Sequence, residues 1–377
     1  MRKKPVPRAL SVSTALKGVI LGAFLANPLS VMADQHFYTS DDFKRLDKID
    51  SHVHANSIGS DMVDLAREAN FKLISINVDY PDFPPVDRQL EITAELYQRH
   101  PEDFAFAGTF TMQDWGTQQW VERKVEQIDH ATDEGAIAIK VWKNIGMSFR
   151  DESGELVMVN DEGFTPVFDY LEEQDLPLIG HQGEPRNCWL PVSEMTVLND
   201  KQYFKEHPHY HMYLHPEMPS YEDQMNSRDR MLDMHPKLTF IGAHMASLEW
   251  SVEALARFLE DNPSAVVDMA ARIGQIQYQS MQDYEEVRQF FIKYQDRILY
   301  ATDLTYTDGQ SGQEFLAEAM TVWQSDWDYL ATDNTLTSGF VEGEFKGLHL
   351  PKTVIDKIYR SNAERVFKTT LYASKNH

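Results

Sequence analysis

Eight apolar, β-rich runs recur along the chain, and amphipathic stretches separate them. The runs are Lys48 to Val53, Phe71 to Val78, Phe104 to Phe110, Ala136 to Trp142, Leu176 to Gly180, Leu238 to Ala243, Ala265 to Met269 and Ile298 to Thr302. Between them, Asp61 to Ala69, Asp87 to Arg99, Gln118 to Glu134, Phe164 to Glu173 and Trp250 to Asp261 carry apolar residues at helical spacing. Strands that alternate with helices pair in parallel through right-handed crossovers, and eight such units close into an α/β (β/α)8 TIM barrel. An open doubly wound sheet is the rival architecture. Two features favour the barrel: no glycine-rich dinucleotide fingerprint follows the first run, and polar residues gather at the ends of runs 1, 4, 5, 6 and 8.

No repeat, low-complexity tract or interdomain linker interrupts residues 34-377, so one catalytic domain is expected there. Residues 1-33 read as a cleaved signal peptide. Arg2, Lys3, Lys4 and Arg8 form a basic head, Gly18 to Ala26 a short apolar core, and Val31-Met32-Ala33 a small-residue cleavage site. The apolar run is about half the roughly 20 residues that a bilayer-spanning helix needs, which favours cleavage over anchoring. An exported protein, periplasmic or secreted, is the expectation.

The formal net charge of -24 opposes partnership with nucleic acid or anionic lipid, because both would be repelled before contact. A solvated acidic surface accounts for it. Cys188 is the only cysteine, so no intrachain disulfide can form.

The chemistry concentrates at strand ends. In Asp50-Ser51-His52-Val53-His54 the two histidines are at i and i+2 of a strand, on one face and about 7 Å apart, so both can reach one divalent cation. Asp50 suits a carboxylate that orients an imidazole from behind. Three more apolar runs stop on a single ionisable group, at His181, His244 and Asp303, and a fourth ends on Lys140. A barrel gathers all its strand ends at one mouth, so ligands far apart in sequence can share an ion. Imidazole and carboxylate suit one Zn2+, with Mn2+ the alternative.

The segment from Gln182 to Pro236 is 55 residues long, a loop-helix insertion between strands 5 and 6 with a helix expected over Ser220 to Met234. Loops of this length over a barrel mouth shape substrate pockets. Within it Arg186 is a candidate substrate-carboxylate clamp, the alternative being a salt bridge on the lid. His207, His209, His211 and His215 read as solvated loop residues rather than a second metal site. Tyr80, Trp142, Arg272 and Tyr306 follow strand ends and line either the pocket or the core.

Asp50-Ser-His-Val-His54, Gly180-His181, Gly242-Ala-His244, Ala301-Thr-Asp303 and Ile358-Tyr-Arg-Ser-Asn-Ala-Glu-Arg-Val-Phe367 together resemble the amidohydrolase superfamily. The similarity is greatest to its amidohydrolase-2 branch of metal-dependent hydrolases and decarboxylases. The resemblance implies that His52, His54, His181 and Asp303 hold the metal. It also implies that His244 stands beside the ion and that Asn362 belongs to a closing helix-packing signature. In some branches a lysine placed like Lys140 is carboxylated and bridges two ions. A mononuclear site, with Lys140 pairing with Asp303 or a substrate carboxylate, is the expectation.

These readings converge on a metal-dependent hydrolase of a small, anionic lactone, amide or ester, with Asp303 as proton shuttle. A nonoxidative decarboxylase on the same fold is the alternative, and a noncatalytic ligand-binding barrel a third reading. The expected partners are a small-molecule substrate and a second copy of the chain, in a homodimer.

Overall fold

The computed structural model describes residues 36–369 and 371; the candidate signal peptide lies outside the described residues. All eight expected strands form: β1 (Lys48–Asn56), β2 (Phe71–Ile76), β3 (Phe104–Thr109), β4 (Ile139–Val141), β5 (Leu178–Gly180), β6 (Phe240–Gly242), β7 (Val266–Asp268) and β8 (Ile298–Leu299). A ninth, β9 (Thr305–Thr307), was not expected.

Each strand pairs in parallel with the next, in the order β8-β7-β6-β5-β4-β3-β2-β1-β9. The stretch 298–307 touches both ends of that series. Leu299 pairs with Asp268 of β7, while the Tyr300 carbonyl accepts from the Ser51 amide at 3.1 Å. The Asp303 amide donates to the His52 carbonyl at 2.8 Å, and β9 then continues along the end of β1. The sheet therefore curls until its last strand meets its first, as in a (β/α)8 barrel.

Helices cover the outside. Those used below are α1 (Asp61–Glu68), α2 (Val86–Arg99), α3 (Trp120–Asp133), α4 (Thr165–Glu173), α5 (Leu198–Glu206), α6 (Tyr221–Met234), α7 (Val252–Asp261), α8 (Ile273–Gln282), α9 (Tyr284–Lys293) and α10 (Gly312–Ala331). Capping defines several starts: the side chains of Ser220, Ser251 and Ser311 accept amides at the first turns of α6, α7 and α10. Among the described residues no helix is long and apolar enough to cross a membrane.

Strand alternation divides the core in two. Ile49, Ile74, Ala107, Ile179, Ile241 and Leu299 pack inside the barrel, where Ala363, Val366 and Phe367 join them near the C-terminus. Their neighbours in sequence, such as Phe71, Leu73, Phe104 and Phe106, pack outward in the cluster shared with the helices. Asn362 is buried, and its amide donates to the carbonyls of Gln295 and Ile298 at 2.7 and 2.8 Å, tying the C-terminal helix to the start of β8.

Between β5 and β6 the chain forms short 3-10 turns, α5 and α6, so the expected helix over 220 to 234 is present. A small hairpin, β10 (Thr335–Leu336) with β11 (Phe345–Lys346), follows α10.

Candidate active site

The polar strand ends converge. His52, His54, Lys140, His181, His244 and Asp303 line one cavity of about 260 Å³. Tyr80, Phe83 and Trp142 form an aromatic wall, with ring centroids 5.1 Å apart for Tyr80 and Phe83 and 4.7 Å for Tyr80 and Trp142. Lys143 stands in the lining and pairs with Glu184.

Hydrogen bonds fix the histidine tautomers. The His54 Nδ1 lies 2.7 Å from the Ile76 carbonyl, which can only accept, so Nδ1 carries the proton and the neutral ring presents a bare Nε2. That Nε2 faces Asp303 Oδ1 at 3.1 Å. His52 repeats the pattern, with Nδ1 2.8 Å from Asp268 Oδ2 and Nε2 3.4 Å from the same Asp303 oxygen. Two lone pairs directed at a carboxylate oxygen repel unless a cation lies among them. Ligand atoms of His52, His54 and Asp303 all fall within 4.8 Å of one another, the spread expected of a divalent-ion site. His181 Nε2 is buried with no hydrogen-bond partner, a further donor waiting in the same cavity. The donor set thus fits a divalent metal ion.

The charges agree. Burial pushes the Asp303 carboxyl up, but positive charge at its meeting point with His54 and His52, together with Arg272, outweighs it and holds the group well below the usual carboxylate range; with both imidazoles neutral, that charge is the one a bound cation would supply. Burial, reinforced by Lys143 and Lys140, lowers His181 far below the ordinary imidazole value; burial and His181 do the same to His244. Both are therefore neutral and available as acceptors. Burial brings Lys140 down to about 8, although Asp268 and Asp303 pull it the other way. Its Nζ has no hydrogen-bond partner among the described residues.

His244 reaches the cavity by an unusual backbone. Residues His244, Met245, Ala246 and Ser247 have φ of 57°, 58°, 54° and 56°, a full turn of left-handed chain without a glycine. Gly242 makes room beneath it, since a Cβ there would lie 2.5 Å from that of Ala246. The turn is held by its surroundings: Asp268 Oδ1 accepts the His244 amide at 2.7 Å, and the Tyr221 hydroxyl of α6 donates to the Ser247 carbonyl at 2.6 Å. Arg228 of α6 donates to the Ala246 carbonyl, and Ser247 Oγ to that of Gln182. Asp303 also adopts a left-handed φ, of 73°, as strained residues at functional sites do.

Asp268 was passed over in the sequence although Ala265-Val-Val-Asp268 ends on a carboxylate as the other runs do. It does the orienting expected of Asp50. The Asp50 carboxylate instead accepts Thr302 N at 3.1 Å, Thr302 Oγ1 at 2.6 Å and Trp323 Nε1 at 2.9 Å, so it clamps β1 to the end of β8 and to α10. It touches no imidazole because the register of β1 against β2 shifts between Asp50 and Val53, so the regular alternation that would put Asp50 on the face of His52 and His54 is broken.

Other expectations sort by geometry. Arg186 is not among the residues lining the cavity; its guanidinium stacks over Trp250 at 4.1 Å, and the basic groups in the lining are Lys140 and Lys143. Tyr80 and Trp142 line the pocket, whereas Tyr306 is buried in packing and donates to Asp61. His207 and His215 bond to nearby carbonyls, and His211 to that of Leu190.

Comparison with known proteins gives the same frame. A family model described as amidohydrolase matches residues 49–369. Among solved structures, 2,6-dihydroxybenzoate decarboxylase in complex with 2,6-dihydroxybenzoate is 16% identical with a TM-score of 0.50, covering 85% of this chain and 99% of that one. The same enzyme from Rhizobium is 17% identical with a TM-score of 0.49, covering 85% and 98%. A 4-oxalomesaconate hydratase from Rhodopseudomonas palustris is 12% identical with a TM-score of 0.44, covering 85% and 95%. Curated protein sequences include no match.

Proposed function

Because this chain belongs to the amidohydrolase family, we propose that it is a metal-dependent hydrolase of a small, anionic amide, ester or lactone, with Asp303 as its proton shuttle. The observation that carries the reading is the pair of bare Nε2 atoms, of His52 and His54, facing one oxygen of an ionised Asp303. With His181 these residues would hold one divalent ion, Zn2+ or Mn2+. Such an ion, when bound, polarises a carbonyl and makes water more acidic.

The protein's own groups supply the rest. Asp303, ionised in the resting site, takes a proton from the attacking water and returns it to the leaving atom. Neutral His244, its Nδ1 proton given to the Ala270 carbonyl at 2.9 Å, offers Nε2 as an acceptor that orients an O–H or N–H of water or substrate. In that tautomer it does not donate to an oxyanion. Lys140 and Lys143 supply the positive charge that attracts an anionic substrate, the task first assigned to Arg186. The aromatic wall of Tyr80, Phe83 and Trp142 shields one side from water.

The basic-apolar-small-residue pattern of residues 1–33 supports export to the periplasm or beyond, with the barrel as the mature protein. Association of two copies through the outer helices is part of the proposal.

The test begins with elemental mass spectrometry of the purified protein, then a screen of lactones, amides and aromatic acids with and without chelator. About one ion per chain, with incorporation of labelled water oxygen into product, supports hydrolysis at a mononuclear site. Carbon dioxide release without that label transfers the enzyme to the decarboxylase reading. Two ions per chain make Lys140 a bridging ligand, and activity that survives complete metal removal refutes the mechanism.

A further inference from the structure

A second cavity, of about 640 Å³, opens on the other side of Asp303. Asp303 and Thr305 line both cavities, and the second takes in the whole stretch from Ala301 to Thr305, so the two adjoin along that stretch. The second lies between the ends of β7 and β8, helix α10 and residues 337–340. Met269, Ala271, Leu304, Val322 and Phe340 give it a largely apolar wall.

Its charge is opposite to that of the first. None of the lining residues is basic; the ionisable ones are Asp303, Asp326 and Glu318, which is exposed on α10. Asp326 is only 4% exposed. Its Oδ2 accepts the Tyr300 hydroxyl at 3.0 Å, and Oδ1 has no hydrogen-bond partner among the described residues. A nearly buried carboxyl with one oxygen unused, in an apolar cavity without a counter-cation, calls for a ligand that brings its own N–H donor. A carboxylate-bearing ligand would be repelled there, whereas the first cavity, with Lys140 and Lys143, attracts one.

We propose that this cavity is a leaving-group subsite for an apolar amine, making the substrate an amide whose acyl part is anionic and whose amine part is apolar. The inference rests on the reading of Asp303 as the shuttle that faces the departing atom. In the reaction the amide C–N bond breaks and a C–O bond to water forms. One water proton passes through Asp303 to the departing nitrogen, and the proton of the new acid completes the ammonium, leaving a carboxylate on the Lys140 side and an ammonium on the Asp326 side.

The probes are n-hexylamine, hexan-1-ol and hexanoate, titrated calorimetrically into the purified protein. Hexylamine should bind at least tenfold more tightly than hexanoate, with hexanol between them. Val322→Trp, which fills the cavity from α10, should abolish hexylamine binding without changing metal content. Ser325→Trp at the exposed mouth provides the same test if the first variant does not fold. Asp326→Asn should weaken hexylamine several-fold more than hexanol. Equal or tighter binding of hexanoate, or hexylamine binding that persists in both tryptophan variants, overturns the proposal. Loss of the hydrolase reading is seen separately, as turnover that is indifferent to metal removal while hexylamine still binds.

Discussion

Asp268→Asn is the most telling perturbation, because it changes one proton's address rather than any atom's position. Asp268 Oδ1 accepts two backbone amides, of His244 at 2.7 Å and Ala270 at 3.1 Å, while Oδ2 accepts His52 Nδ1. An asparagine has one oxygen for these three donors. The backbone amides cannot turn away, so the oxygen stays with them and the new NH2 faces His52 Nδ1. The imidazole relieves this donor-donor clash by moving its proton to Nε2, the atom that faces the shared point beside Asp303. His52 is then no longer a ligand, although its ring has not moved. Losing an orienting partner of this kind lowers metal affinity by about 10–100-fold, which is about 1.4–2.7 kcal/mol. Chelator-competition titration of wild type and variant measures this directly, with thermal unfolding of the metal-free forms as the control for the fold. Affinity within twofold of wild type would show that the tautomer argument is wrong.

Other expectations follow from the same geometry. Asp303→Asn removes the shuttle and should lower turnover by at least about 100-fold, and wild-type rates would refute its role. His52→Ala should abolish stoichiometric metal binding, read by elemental mass spectrometry. Glu249 is buried, and that burial, with the nearby Arg272 opposing it, raises its carboxyl to about 7. A carboxyl raised on folding binds its proton more tightly in the native state, so stability should fall as pH rises from about 4.5 to about 7 and then level. Glu249→Gln removes that part of the slope, and denaturant unfolding at several pH values tests whether the variant's profile is flatter. Tyr221→Phe deletes the hydroxyl that holds the Ser247 carbonyl, costing about 1–3 kcal/mol of stability and lowering turnover without changing metal content.

The strand ladder was legible because every barrel strand had to be apolar on both faces, giving runs that differ from their amphipathic neighbours. The expected runs overshoot at β4 to β8, where the regular pairing covers only two or three residues. Their polar ends turn into the cavity rather than along a neighbour. β9 escaped notice because Thr305-Tyr306-Thr307 is too short to stand out from a loop. Residues at the ends of single strands could be picked one by one, and five histidine or aspartate positions do meet in one cavity with Lys140. Roles that depend on register across strands could not. Whether Asp50 or Asp268 faces an imidazole is decided by an irregularity in β1, and whether Arg186 points at the cavity or at Trp250 is decided by the fold of a 3-10 turn. The cavity behind Asp303 involves α10, which has no counterpart among the helical stretches singled out in the sequence.

The left-handed turn from His244 to Ser247 ties the cavity to distant parts of the chain. Left-handed backbone without glycine costs about 1–2 kcal/mol per residue, so four such residues hold a sum comparable to the whole net stability of an ordinary domain, about 5–15 kcal/mol. Beyond the turn's own bonds, from the Ser247 amide to the His244 carbonyl at 3.1 Å and from the Leu248 amide to the Met245 carbonyl at 3.0 Å, the partners that hold this shape come from β7, from α6 and from the segment just after β5. His244 therefore keeps its working position only while those three parts of the chain are all in place, so a change in any one of them is felt at the cavity.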